Sequence, residues 1–159
     1  MKIKKLINSK NVIVFGGAGF LGSHISDYLT AAGHKVTIFD KNKSKFIKKN
    51  QTMVIGNITN FYEVQKAIKN QKCVFHFAGV SDLEESNLRP LKAIKFNILG
   101  TANILEAIKK NQTINRIIFA SSIYARSKQG GFYSTTKRSC ESLIKNYNSE
   151  YKVNYTILR

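Results

Sequence analysis

The seven residues Gly16-Gly17-Ala18-Gly19-Phe20-Leu21-Gly22 restrict this chain more than any other stretch. They come after a continuous apolar run, Val12-Ile13-Val14-Phe15, of the kind that forms a parallel strand buried on both faces. They open a helical pattern with apolar residues at Leu21, Ile25, Tyr28, Leu29 and Ala32. Strand, glycine turn and helix in succession is the context in which a glycine triplet binds a dinucleotide. Gly16 allows the tight turn, Gly19 lets backbone N–H groups approach a pyrophosphate, and Gly22 brings helix and strand together. The phosphates then sit at the positive end of the helix dipole. Glycine-rich turns also serve as plain connectors, so the assignment needs support from residues further along the chain.

The helix stops near Gly33, and a second strand runs from Lys35 to Phe39. Asp40 stands at its carboxyl end, 18 residues beyond Gly22. A carboxylate there accepts hydrogen bonds from the adenosine ribose and repels a 2′-phosphate, so NAD is expected over NADP, with Lys41 and Lys43 softening the discrimination. Lys41 to Lys49 carries five lysines around Phe46 and Ile47 and reads as a short surface helix or loop. A third strand covers Thr52 to Ile55. Asn60 then caps a helix over Phe61 to Asn70, with Glu63 placed for a capping box. The fourth strand, Cys73 to Phe77, leads into small residues, Ala78-Gly79, that let backbone lie close to a ligand. His76 falls within that strand and reads as a core histidine.

Asp82, Glu84 and Glu85 form the acidic cluster before Pro90. A metal site is one reading of three carboxylates; a solvated loop or the first turn of a helix explains them more simply. A long helix comes next, with Leu91, Ile94, Ile98, Leu105 and Ile108 expected on one face. The fifth strand is Arg116 to Ala120, a helix runs from about Phe132 to Asn148, and a sixth strand covers Asn154 to Leu158. Strands alternating with helices predict an α/β fold: a doubly wound (Rossmann) parallel sheet of about six strands in the order 3-2-1-4-5-6, with helices on both faces.

The formal charge is +17, but 21 of the 26 basic residues are lysines scattered along the whole chain, without arginine–aromatic interleaving or a basic tail. This distribution argues against a nucleic-acid binder. No apolar run approaches the roughly 18 residues that span a bilayer. The basic start, Met1 to Ile7, is followed by Asn8-Ser9-Lys10-Asn11 rather than by the apolar core of a signal peptide, so a cytoplasmic protein is expected. Cys73 and Cys140 form no ligand-like cluster and read as buried free thiols.

Tyr133 and Lys137 lie four residues apart at the start of a helix and share one face. A tyrosine, with a pKa of about 10, is a poor base until a nearby ammonium favours its phenolate. Ser122 lies just past the fifth strand at the same sheet edge, where it can hydrogen-bond an oxygen being oxidised or reduced. Tyrosine–lysine pairs also pack helix surfaces; the nucleotide loop and the serine-ended strand give this pair its chemical meaning.

Taken together, these residues resemble the extended short-chain dehydrogenase/reductase family, in its NAD-dependent epimerase and dehydratase branch. Gly16 to Gly22 is similar to the family's TGGAGFIG signature, with Phe15 replacing the usual threonine. His76-Phe77-Ala78-Gly79 resembles its HLAA segment, and Asn97-Ile98-Leu99-Gly100-Thr101 its NxxGT helix start. The resemblance implies NAD as cofactor, contacted by Gly16, Gly19, Phe20, Leu21 and Gly22 of the loop, by Asp40, and by Asn57 and Ile58 after the third strand. Phe77, Ala78, Gly79, Asn97, Tyr133 and Lys137 complete the implied set. It implies Ser122, Tyr133 and Lys137 as the catalytic residues and no metal: Tyr133 exchanges a proton with a sugar hydroxyl, Ser122 assists, and Lys137 also holds the nicotinamide ribose. The implied substrate is a nucleotide-sugar, and helices 91–110 and 132–148 are the expected faces of a homodimer.

Several positions depart from the family pattern. Gly56-Asn57 stands where Gly-Asp usually contacts adenine, leaving a carbonyl acceptor without the charge. The family's VYG corresponds to Ala125-Arg126-Ser127; a second register takes Ile123-Tyr124-Ala125 for it but puts Ala120 at the catalytic position, so Ser122 is preferred. Ile123-Tyr124 stands after Ser122 where dehydratases carry Asp-Glu, which favours an epimerase or reductase. Family members continue for about as many residues again, so residues 1–159 are expected to be the NAD-binding domain without the substrate domain. A fragment, a split gene product and a degenerate paralogue all have this length. A non-catalytic NAD-sensing domain stands as the alternative function, and the isolated chain is expected to bind cofactor without turning over sugar.

Overall fold

Five residues at the centre of a sheet must find partners on two sides and cover on two faces, and β1 (Asn11–Phe15) has both. The computed structural model describes residues 11–111 and 113–159; the basic start, Met1 to Lys10, lies outside them. β1 pairs in parallel with β2 (Lys35–Asp40) and β4 (Cys73–His76). β3 (Gln51–Ile55), β5 (Arg116–Ala120) and β6 (Tyr155–Leu158) extend the sheet to the expected order β3-β2-β1-β4-β5-β6.

Alternation along the strands divides the core. Val12, Val14, Val36, Ile38, Cys73, Phe75 and Ile118 face one side, where Leu29 of α1 (Phe20–Ala31) covers them. Ile13, Phe15, Val74, Ile117 and Phe119 face the other, against α2 (Phe61–Ile68), α5 (Gly100–Lys110) and α6 (Gly131–Tyr151). Every parallel crossover except that from β2 to β3 carries helix onto the sheet, and both faces are covered by helices. Among the described residues, no helix is long and apolar enough to cross a membrane.

Register positions the site. Phe15 stands opposite Phe39 on one side and His76 on the other. The next residues, Gly16, Asp40 and Phe77, therefore emerge together at the carboxyl edge, tied by Gly16 N–H to Phe39 O (2.8 Å) and Phe77 N–H to Phe15 O (2.9 Å).

Local signals are read well at the termini and less well between them. Asn60 caps α2 by accepting from Tyr62 N–H and Glu63 N–H. Glu63 accepts from the Asn60 side chain and from Asn57 N–H (both 2.7 Å), so its carboxylate fixes the turn after β3. The helix ends at Ile68 rather than Asn70, which adopts a left-handed φ of 66°. Asp82 caps a short α3 (Leu83–Leu88) and puts Glu84 and Glu85 in its first turn, as the dipole reading expects. Lys41 to Lys49 forms a loop without helix.

The long helix differs from expectation. It runs without interruption through α4 (Pro90–Ala93), a π-helical stretch (Ile94–Leu99) and α5. The wider π winding displaces the apolar stripe, leaving Leu91 81% and Ile94 41% exposed. Leu105 and Ile108 are buried as expected, joined by Ala93, Asn97, Thr101 and Ile104.

His76 is a core residue. It is 1% exposed, its ring lies beside Phe15 and Phe119, and Nε2 meets Thr101 Oγ1 at 2.9 Å. Nδ1 has no protein partner. Burial, with a smaller contribution from the Lys137 charge, lowers its pKa from 6.5 to about 3. Below pH 6.5 the unfolded chain takes up a proton that the folded chain excludes. Stability contributed by neutral His76 is thus complete above that pH and lost as pH falls towards 3. The residue should add a slope of about 1.4 kcal/mol per pH unit to the unfolding free energy in that window. Urea unfolding at several pH values should show this slope, and His76→Gln should flatten it.

Candidate cofactor site

A cavity of about 520 Å³ opens where the strand order reverses, between the ends of β1 and β4. Its volume falls in the range of cofactor sites. Four pieces of chain enclose it: the glycine loop, the end of β2, the end of β3, and the segment from Phe77 to Phe96. Of the expected contacts, Gly16, Gly19, Phe20, Leu21, Gly22, Asp40, Asn57, Ile58, Phe77, Ala78 and Gly79 all line it.

The loop fits a dinucleotide. Gly16 has φ +79°, and a Cβ there would stand 2.6 Å from Ala78 N, so only glycine lets the β1 and β4 ends approach. A Cβ at Gly22 would overlap the Gly16 carbonyl oxygen. Phe20 and Leu21 project from the first turn of α1, largely exposed, beside the cavity. A helix N-terminus and close backbone leave N–H donors for phosphate, with no side chain in the way.

Asp40 is held in place from two sides. Oδ2 accepts from Ala18 N–H (3.1 Å) and Oδ1 from Asn42 N–H (3.0 Å). The carboxylate thus braces the glycine loop as well as facing the cavity. The Asn57 side-chain oxygen accepts from Thr59 N–H and Thr59 Oγ1–H (both 3.0 Å). Its carbonyl, expected as the acceptor for adenine, is committed to the turn.

Asn97 stands apart from the other expected contacts. It does not line the cavity but lies 3% exposed beneath it. Its oxygen accepts from Val80 N–H (2.7 Å), and its amide donates to Val80 O (3.1 Å) and Thr136 Oγ1 (2.9 Å). It fastens the Phe77-to-Val80 loop to α6 from behind, a positioning role.

Tyr133 and Lys137 also lie outside the lining of this cavity, packed against the end of β5. Lys137 is 7% exposed; its Nζ donates to Ala120 O (2.7 Å) and lies 4.9 Å from the Phe119 ring centroid and 5.8 Å from that of Tyr133. Burial lowers its pKa below the ordinary 10.5. The Tyr133 ring stands edge-on to Tyr124. Ser122 Oγ accepts from Tyr124 N–H (3.2 Å), capping a single 3-10 turn, Ile123–Arg126, and keeps its own proton to donate. The structure brings Tyr133 and Lys137 together and places Ser122 two residues beyond the carbonyl that Lys137 holds.

Lys41, expected only to soften the choice between NAD and NADP, and Asn42, Asp82, Glu85, Lys92 and Phe96, which sequence reasoning did not place at the site, also line the cavity. The first two come directly after Asp40; the others arrive through helix phasing that the sequence does not display. Among the described residues, no group of three or more His, Cys, Asp or Glu side chains is placed to hold a metal ion.

The family model for the NAD dependent epimerase/dehydratase family matches residues 12–159. A putative UDP-glucose 4-epimerase of Methanocaldococcus jannaschii is 31% identical, aligned over 93% of this chain and 54% of its own. A UDP-N-acetyl-alpha-D-glucosaminuronate decarboxylase of Bacillus cytotoxicus is 33% identical over 70% of this chain and 36% of its own. The crystal structure of UDP-glucose 4-epimerase from Brucella ovis in complex with NAD superposes with a TM-score of 0.86 and 27% identity, covering 95% of this chain and 51% of that one. The chain thus spans about half the length, or less, of these proteins.

Asn97→Ala should leave Val80 N–H, Val80 O and Thr136 Oγ1 without their buried partner. A destabilisation of roughly 2–5 kcal/mol is expected in urea unfolding. A loss under about 1 kcal/mol would show that Asn97 does not anchor the loop.

Proposed function

This chain belongs to the NAD dependent epimerase/dehydratase family, and we propose that it is the cofactor-binding part of a nucleotide-sugar epimerase or related sugar oxidoreductase. One observation carries the reading: the glycine loop and Asp40 wall a single cavity at the sheet's switch point, beside a buried tyrosine–lysine pair. NAD is the cofactor, and when bound it supplies a hydride acceptor for a sugar carbon.

The chain's own groups do the rest. Backbone N–H groups of the glycine loop hold the pyrophosphate, and Asp40 accepts from the adenosine ribose. Tyr133 takes the proton from a sugar hydroxyl. The buried Lys137 ammonium, held by the Ala120 carbonyl, stands beside the Tyr133 ring and supplies the positive charge of the pair. Ser122 donates its hydroxyl proton to the same sugar oxygen. The remaining Lys137 donors hold the nicotinamide ribose.

UDP-sugars are the proposed substrates, in keeping with the names of the relatives. Two copies are proposed to pair through the face where Ile98 meets Thr135, Ser139 and Leu143 of α6. The two buried, unpaired cysteines agree with a cytoplasmic setting.

Titration with both dinucleotides should show tighter binding of NAD than of NADP; the reverse order would overturn the assignment of Asp40. Asp40→Ala should weaken NAD by about 1.5–3 kcal/mol. In the full-length protein, Tyr133→Phe should lower turnover of a UDP-sugar at least about a hundredfold while leaving NAD affinity nearly unchanged. An active Phe variant would point to another proton acceptor.

A further inference from the structure

The glycine loop offers only neutral donors, since residues 16–22 contain no lysine or arginine. A dinucleotide brings a pyrophosphate with two negative charges. Two of the residues lining the cavity are cationic, Lys41 and Lys92. Lys41 stands next to Asp40, and its Nζ lies 5.7 Å from the Phe96 ring centroid. Lys92 stands on α4, four residues before Phe96 in the same continuous helix. Its Nζ meets Glu85 Oε1 of α3 at 2.5 Å, and the two side chains are 33% and 38% exposed. Glu85 and Asp82 also line the cavity, and Asp82 Oδ1 is occupied by Glu85 N–H (2.7 Å).

The wall facing an incoming dianion therefore includes two carboxylates, and Lys92 is the cation beside them. Its pair with Glu85 is open to solvent on one side, and such pairs contribute little and break readily. The lysine stem is flexible, and its ammonium can turn from one oxygen acceptor to another. Resting on NAD as the occupant of the cavity, we propose that Lys92 binds the cofactor's pyrophosphate, leaving Glu85 for a phosphate oxygen as NAD enters. Glu85 keeps the ammonium at the cavity rim in the absence of cofactor. Lys92 supplies the charge that the glycine loop lacks.

Calorimetric titration of the chain with NAD, ADP and adenosine tests the assignment. Lys92→Met should raise the Kd for NAD and for ADP about tenfold and change that for adenosine by less than about twofold. Lys92→Arg should restore most of the loss. Glu85→Gln, which frees the ammonium, should tighten NAD, and the double variant Lys92→Met/Glu85→Gln should bind as weakly as Lys92→Met. Equal weakening of adenosine and NAD would mean that Lys92 acts only on the fold. A double variant as tight as Glu85→Gln would mean that Lys92 merely screens Glu85. Either result overturns the proposal while NAD still binds the wild type. A wild type that binds none of the three ligands would overturn the cofactor reading itself.

Discussion

The distance between α1 and the end of β1 sets the shape of the carboxyl edge, and two glycines set that distance. With no side chain at Gly22, the first turn of α1 rests on the Gly16 carbonyl, and Gly19 N–H closes the loop on the same oxygen at 3.1 Å. Ser23 N–H then bonds Gly19 O (2.9 Å) and starts the helix. Asp40 reaches across from β2 to Ala18 N–H, so the neighbouring strand holds the loop from the side. The phosphate cradle is thus a property of three elements meeting, and the parallel register of β1 with β2 and β4 brings them together.

A second set of bonds joins α6 to the other half of the edge. Lys137 and Glu141 are one helical turn apart and address consecutive residues of the β5 end: Lys137 Nζ holds Ala120 O, and Glu141 Oε1 accepts from Ser121 Oγ at 2.5 Å. Arg159, just past β6, donates twice to Glu141 (2.9 and 2.6 Å), while Ser121 N–H bonds Leu158 O (2.8 Å). Burial alone would raise the Glu141 pKa, but the Arg159 and Ser121 bonds hold it below its ordinary value. The strand end bearing Ser122 is therefore fixed by charge-assisted bonds from a helix and a neighbouring strand.

Strand order, the glycine loop and Asp40 were legible in the sequence because each depends on near neighbours: an apolar run, a three-residue glycine spacing, an acid at a strand end. His76 was legible as core because it sits inside a buried strand. The long helix was not. An α-helical period puts Leu91 and Ile94 on the core face, whereas the π winding turns Asn97 inward to Val80 and to Thr136 of α6, partners that no local pattern contains. The role of Asn97 was hidden for the same reason. Its position in a helix-start motif suggested a ligand contact, whereas its partners lie 17 and 39 residues away. Glu85 read as part of an acidic loop or first helical turn and Lys92 gave no local signal; only the folded chain places them on one cavity wall.

Lys137 sets two costs against each other. A methionine of similar length would pack between Phe119 and Tyr133 and remove the cost of drying an ammonium. The same change would strip Ala120 O of the donor that holds it, loosening the end of β5 from α6. A neutral side chain there exchanges a desolvated charge for an unsatisfied carbonyl, so the edge that carries Ser122 is only as rigid as this one ammonium keeps it.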